Sequence, residues 1–211
     1  MHPQPESEYA VKPITPAARR PRDQGATPFG LRRAAGILDE GGVLAYPTEA
    51  VFGLGCDPLD PIAVHRLLAL KRRPASKGLI LIAADLSQLV PFVDLDALSP
   101  ERLAEVQGSW PGPHTWLMPT RAGIPNWLTG VHARIAVRVT AHPLAAALCA
   151  AWGGALVSTS ANRAGQHPAR TALQVRQRLP KGLDLILHGP CGGAARPTSI
   201  RDAVTGASIR D

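Results

Sequence analysis

Residues 68–83 read LALKRRPASKGLILIA. The stretch opens as the end of an apolar helical pattern, passes through Lys71, Arg72, Arg73 and Lys77, and becomes a continuous apolar run. Upstream, DPIAVHRLLALKRR (60–73) starts on Asp60, an N-cap residue type, with Pro61 at the first helical position. Its spacing predicts Ile62, Leu67 and Leu70 facing inward and delivers the cations to the helix end. GLILIAA (78–84) predicts a buried strand. A helix that feeds an apolar strand through a short turn is the building unit of an α/β sheet.

The same alternation runs outward in both directions. GLRRAAGILDEGG (30–42) places Leu31, Ala34, Ala35 and Leu38 on one helical face and stops at two glycines, after which VLAYPT (43–48) predicts a short buried strand. Helices are expected over SPERLAEVQ (99–107), HPLAAALCAAWG (142–153) and TALQVRQRL (171–179), and strands over Thr115 to Met118, ARIAVRV (133–139), ALVSTSAN (155–162, strand into loop) and LDLILHG (183–189). A closing hairpin is expected at Thr205-Gly206. Several connections are too short for helical crossovers, so the predicted sheet is a twisted, mixed parallel and antiparallel one with flanking helices. No internal repeat is visible.

Composition bounds the rest. The 211 residues suffice for one compact unit, and the core is expected to be aliphatic because aromatic residues make up only 4%. Residues 1–28 carry Pro3, Pro5, Pro13, Pro16, Pro21 and Pro28 with few large apolar groups, which predicts a flexible proline-rich arm before a domain at 29–211. Cys56, Cys149 and Cys191 are far apart, without zinc-ligand spacing, which argues against a disulfide framework or a structural metal site. No run reaches the ~18 apolar residues of a membrane span, and the N-terminus has no apolar signal core, so a cytoplasmic protein is expected. The formal net charge of +7 favours an anionic partner, although a helix end also attracts cations through its dipole and leaves them in water.

The cation cluster has company at the ends of apolar strands, where α/β sheets place ligands. AYPTEAVFGLGCD (45–57), WPGPHT (110–115) and STSAN (158–162) are small, polar or glycine-rich loops. Together with LKRRPASKGLILIA and AVRVTAHP (136–143), they resemble, in order and spacing, the YrdC/TsaC family of threonylcarbamoyl-AMP synthases. The resemblance runs from about Phe29 to the C-terminus and implies a basic concave cleft. The family's K-x-R and S-x-N fall on Lys71, Arg73, Ser160 and Asn162, implied to be catalytic and to bind ATP together with Arg210. The implied reaction joins L-threonine, bicarbonate or CO2, and ATP into threonylcarbamoyl-adenylate with release of pyrophosphate. Mg2+ would accompany ATP, with no metal ligands among the protein side chains. Separate transferase proteins would then install t6A at position 37 of ANN-decoding tRNAs.

The residues suit that chemistry on their own terms. A carbamate oxygen attacking an α-phosphate needs no protein nucleophile, only positioning and charge, which Lys71 and the planar fork of Arg73 would supply while Ser160 and Asn162 add neutral partners. Arg138 lies within an apolar strand, so a protein carboxylate or a substrate carboxylate must meet it. The resemblance implies that it clamps L-threonine, with Thr48, Ser158 and Thr198 as further contacts. Were the substrate its sole partner, removal of the Arg138 charge would leave the empty protein no less stable. In RPTSIRD (196–202), Thr198 replaces a serine of the family pattern and Arg201 sits at a usually aliphatic position. His65, His114, His132 and His142 show no ligand spacing, Glu49 and Asp57 only flank a glycine loop, and no Walker-type G-x-x-x-x-G-K-[ST] is present. The alternative function is a double-stranded RNA or tRNA binding module that uses the same basic concavity without catalysis. Changes at Ser160 or Asn162 would abolish turnover in the enzyme, whereas an RNA binder would weaken gradually with each arginine lost.

Overall fold

A computed structural model of the chain describes residues 22–25, 27–195 and 198–210. Its strands are β1 (Arg22–Gly25), β2 (Leu44–Pro47), β3 (Phe52–Gly55), β4 (Ile80–Ala83), β5 (His114–Pro119), β6 (Arg134–Val139), β7 (Leu156–Ser160), β8 (Leu185–His188), β9 (Ser199–Asp202) and β10 (Ser208–Arg210). They form a mixed sheet in the order β1-β8-β2-β3-β7-β4-β6-β5-β9-β10. The β1-β8-β2, β4-β6 and β5-β9 pairs are parallel, and β2-β3-β7-β4, β6-β5 and β9-β10 are antiparallel. The helices are α1 (Pro28–Asp39), α2 (Pro61–Lys71), α3 (Pro100–Gly108), α4 (Asn126–Thr129), α5 (Pro143–Trp152) and α6 (Ala172–Arg178).

Side chains alternate across an extended strand, so a strand apolar at every position serves two cores. In β4, Ile82 joins one cluster while Leu81 and Ala83 join the other, and in β8 Leu185 and Leu187 part from Ile186 in the same way. Ala34 and Leu38 of α1 and Leu144, Ala145 and Leu148 of α5 cover one face. Val64, Leu67 and Leu68 of α2, Val106 of α3 and Val175 of α6 cover the other. The helix starts follow ordinary capping chemistry: Asp60 accepts from the amides of Ile62 (2.8 Å) and Ala63 (3.1 Å), and Thr27, Ser99 and Thr171 cap α1, α3 and α6.

Four expectations change. Residues 22–25, assigned by composition to the proline-rich arm, pair with β8 as β1, and α1 begins at Pro28; residues 1–21 of the expected arm lie outside the described residues. The FGLG of the glycine-rich loop is strand β3, because a Cβ on Gly55 would lie 2.5 Å from the Val157 carbonyl and 2.8 Å from the Tyr46 ring. Those glycines make room for Tyr46 rather than a turn. In α2, Ile62 is 57% exposed and the buried stripe is Ala63, Val64, Leu67, Leu68 and Lys71. Lys71 is therefore not solvated at the helix end; it is 4% exposed. No helix among the described residues is long and apolar enough to cross a membrane.

Candidate functional site

At the ends of the central strands, one cavity of about 210 Å³ is lined by Thr48, Gly53, Arg138, Ser158, Thr198 and Arg210 among others, and a second of about 240 Å³ by Lys71, Lys77, Asn162 and Gly165 among others. Arg73, Thr159 and Ser160 line both, so the two are lobes of one cleft. Among the described residues, no acidic side chain lines either lobe.

Arg138 is held at the base of the first lobe. It donates to Thr198 Oγ1 (2.8 Å) and Thr115 Oγ1 (3.3 Å), and its second terminal nitrogen lies 3.3 Å from Glu49 Oε2. That last approach is an ion pair by distance, but among the described residues Glu49 Oε2 has no aligned hydrogen bond and the buried Arg138 Nε has no hydrogen-bond partner. Glu49 Oε1 accepts from Thr140 Oγ1 (2.7 Å) and from the Ala141 amide (3.2 Å). Burial pushes the Glu49 carboxyl pKa up, but Arg138, Thr140 and backbone donors together outweigh it and leave the pKa lowered. Of the two carboxylates open to Arg138 from sequence, the protein's own is thus present, and the guanidinium still lines the cavity. Thr48 Oγ1 donates to the Val51 carbonyl (2.7 Å), which leaves its lone pairs for an incoming donor. Arg210 reaches the Thr198 carbonyl (2.8 Å); desolvation and then the Arg138 charge lower its pKa.

The second lobe is built around the loop after β7. Lys71 Nζ donates to the carbonyls of Ser160 and Asn162 (the latter at 2.9 Å) and faces Asn162 Oδ1 at 3.5 Å, while Ser160 Oγ donates to that same Oδ1 at 2.6 Å. Arg73 donates through one terminal nitrogen to the carbonyls of Lys77 (3.3 Å) and Gly78 (3.0 Å), and its buried Nε has no hydrogen-bond partner among the described residues. Arg72 caps α2 in the left-handed region, with φ of 53°, and is exposed, away from both lobes.

Desolvation, and secondarily Arg73, lower the Lys71 pKa to about 8, while the oxygens around Nζ favour the ammonium. Between about 8 and the ordinary 10.5 the unfolded chain binds a proton that the folded one does not, so this group makes stability rise with pH in that window. Lys71→Met removes that term. The stability of the parent minus that of Lys71→Met is therefore expected to grow from pH 8 to pH 10, read from paired melting curves; a flat difference would contradict the burial of the ammonium.

Lys71, Arg73, Ser160 and Asn162 thus meet in one lobe, and Thr48, Arg138, Ser158, Thr198 and Arg210 in the other. Sequence reading passed over Glu49 as a partner of Arg138 and Thr115 as its second hydroxyl contact; the position of Thr115 inside WPGPHT was the available signal. Arg201 turns away from the cleft, pairs with Glu105 at 2.8 Å and stacks over Trp116 at 4.8 Å, which accounts for a cation at an expected aliphatic position.

A mixed α/β sheet with flanking helices and a two-lobed cleft at the ends of its central strands defines a class of α/β protein with a preformed ligand-sized site. The chain belongs to the Sua5/YciO/YrdC family, whose model, described as "Telomere recombination", matches residues 36–210. It is similar to the threonylcarbamoyl-AMP synthase of Xylella fastidiosa (strain M12), with 56% identity over 185 residues covering 88% of this chain and 99% of that one. The threonylcarbamoyl-AMP synthase of Alkalilimnicola ehrlichii is 60% identical over 185 residues, covering 86% of this chain and 95% of its own. Among solved structures, P. abyssi Sua5 complexed with L-threonine superposes with a TM-score of 0.79 at 30% identity, covering 86% of this chain. This chain spans about half of that one, 53% of its length.

Proposed function

We propose that this protein is a threonylcarbamoyl-AMP synthase, working in the cytoplasm to supply the adenylate for t6A formation on tRNA. The observation that carries the reading is the placement of two guanidinium groups in one cleft, Arg138 in one lobe and Arg73 shared by both, with no acidic side chain among the described lining residues. An anion in each lobe would offset these charges, and a hydrogen bond to a charged group contributes about 1.5–3 kcal/mol. A threonine α-carboxylate suits Arg138, beside the hydroxyls of Thr48, Ser158 and Thr198; a triphosphate suits Arg73 and the lobe of Lys71, Ser160 and Asn162.

With both bound, the threonine amine loses a proton and takes up CO2 derived from bicarbonate. A carbamate oxygen then bonds to the α-phosphorus, the bond between that phosphorus and the bridging oxygen to the β-phosphate breaks, and pyrophosphate leaves with the electron pair. The protein holds the ends and offsets the charge. Mg2+ would arrive on the nucleotide and offset the phosphate charge there. Incubation with ATP, L-threonine and labelled bicarbonate tests the reading. Label is expected in a product that also contains AMP, and label that fails to enter such a product would overturn it.

A further inference from the structure

Shortly after Arg138 the chain passes through three residues that bear on Glu49. Thr140 Oγ1 and the Ala141 amide donate to Glu49 Oε1, and the His142 amide donates to Thr140 Oγ1 at 3.2 Å. His142 is then the N-cap of α5, its Nδ1 accepting from the Ala145 amide at 3.4 Å. Its other ring nitrogen makes a contact that a helix cap does not need: Nε2 lies 3.0 Å from the carbonyl of Pro190, 48 residues further along the chain. A carbonyl only accepts, so Nε2 carries the proton and Nδ1 is the acceptor, one tautomer serving both contacts. The residue is 6% exposed, so water is not at hand to replace either of them.

Pro190 opens a strap, residues 190–195, that runs against the segment carrying Thr48 and Glu49. The Gly192 amide donates to the Thr48 carbonyl (3.0 Å) and the Ala194 amide to the Glu49 carbonyl (2.9 Å). The approach is close: a Cβ on Gly192 would lie 3.1 Å from the Glu49 carbonyl oxygen and 3.2 Å from the Glu49 Cα. Arg170 holds the strap as well, its carbonyl accepting from the Cys191 thiol (3.5 Å) and its guanidinium donating to the Ala195 carbonyl (3.1 Å). Thr48 lines the Arg138 lobe, and Glu49 is the carboxylate paired with Arg138. The start of α5 therefore grips this part of the lobe twice, at the Glu49 side chain through Thr140 and at the main chain of residues 48 and 49 through the strap that His142 tethers.

We propose that His142 is a positioning residue for the Arg138 lobe: through the Pro190 carbonyl it holds the strap that fixes the main chain of Thr48 and Glu49, and so sets where the Thr48 hydroxyl and the Arg138 guanidinium meet a ligand. This rests on the reading of that lobe as the L-threonine site. His142 is not itself among the lining residues and acts at one remove. A small displacement of groups that orient a substrate is enough to weaken its hold.

Two variants divide the ring between its two nitrogens. Asparagine reaches about as far as Nδ1 and is a favoured N-cap, so His142→Asn keeps the start of α5 and loses the Pro190 tether. Glutamine places an amide nitrogen about where Nε2 lies, so His142→Gln keeps the tether and gives up a favoured cap. Steady-state pyrophosphate release by the full chain, with L-threonine and ATP varied in turn, is read beside melting curves. His142→Asn is expected to raise KM for L-threonine about fivefold to tenfold, the scale of one buried hydrogen bond, with kcat and KM for ATP within about twofold and a melting temperature close to that of the parent. His142→Gln is expected to melt lower yet hold KM for L-threonine within about twofold. Gly192→Val, which presses the strap off Glu49 while His142 stays in place, is expected to raise KM for L-threonine in the same selective way. Unchanged KM for L-threonine in His142→Asn would overturn this inference and leave the threonine reading standing. Equal rises for L-threonine and ATP would overturn it too, since they mark a general loosening of the fold. Should His142→Asn fail to fold, Gly192→Val decides, and an unmoved KM for L-threonine there sinks the role of the strap. A parent without threonine-dependent release would overturn both the inference and the reading beneath it.

Discussion

Alanine at position 73 is expected to lower threonine-dependent pyrophosphate release about a hundredfold or more, the loss that follows removal of one preorganised charge contact to a transition state. Alanine at position 72 is expected to change it by less than about twofold. The two arginines are neighbours with opposite situations. Arg72 is exposed at the left-handed cap of α2, while Arg73 lines both lobes and anchors the turn through the Lys77 and Gly78 carbonyls. Arg73→Lys should recover only part of the activity, since an ammonium cannot span two carbonyls and a phosphate as the planar fork does. Steady-state pyrophosphate release for the three variants checks this. Equal damage from the Ala changes at 72 and 73 would contradict the assignment of the cleft.

The second large effect is at Arg138. Were a substrate carboxylate its only partner, Arg138→Met would be no less stable than the parent, but Glu49 changes the sign. Its carboxylate is buried at 8% exposure with Arg138 as its ionic partner, so methionine leaves an uncompensated buried charge and is expected to cost about 3–5 kcal/mol. Glu49→Gln in the same chain removes that charge and should return most of the stability. On the proposed role of Arg138 as threonine clamp, threonine affinity should remain lost in the double variant. Thermal unfolding beside threonine titration of both proteins separates the structural pair from the substrate clamp. A double variant that regains threonine affinity with stability would show that Arg138 serves the fold alone.

How much of this was legible in the sequence depends on whether the information was local. Strands such as β4 and β8 announce themselves because a sheet covered on both faces makes nearly every position apolar, β6 does so through Ile135, Val137 and Val139 at alternate positions, and the caps at Asp60 and Ser99 are equally local. The strand β3 was hidden because Gly53 and Gly55 serve the Tyr46 ring on the adjacent strand, a reason that appears only once β2 and β3 pair. Helix α2 is apolar nearly all round, so its period fits more than one inward face. The buried stripe includes Lys71, four residues after Leu67 and three after Leu68, and the oxygens that receive its ammonium come from residues 160 and 162. Glu49 and Arg138 are likewise joined only by the fold, through a carboxylate that local spacing gave no reason to single out.

The most direct measurement is pyrophosphate release by the purified chain with ATP, bicarbonate and L-threonine, with each reactant omitted in turn and the AMP-linked product identified by mass. On the proposed assignment of one reactant to each lobe, release is expected only when all three are present, in step with threonylcarbamoyl-adenylate. Release that continues at the same rate without L-threonine, or that yields no adenylate of that mass, would contradict the two-lobed cleft as the site where threonine and ATP are joined.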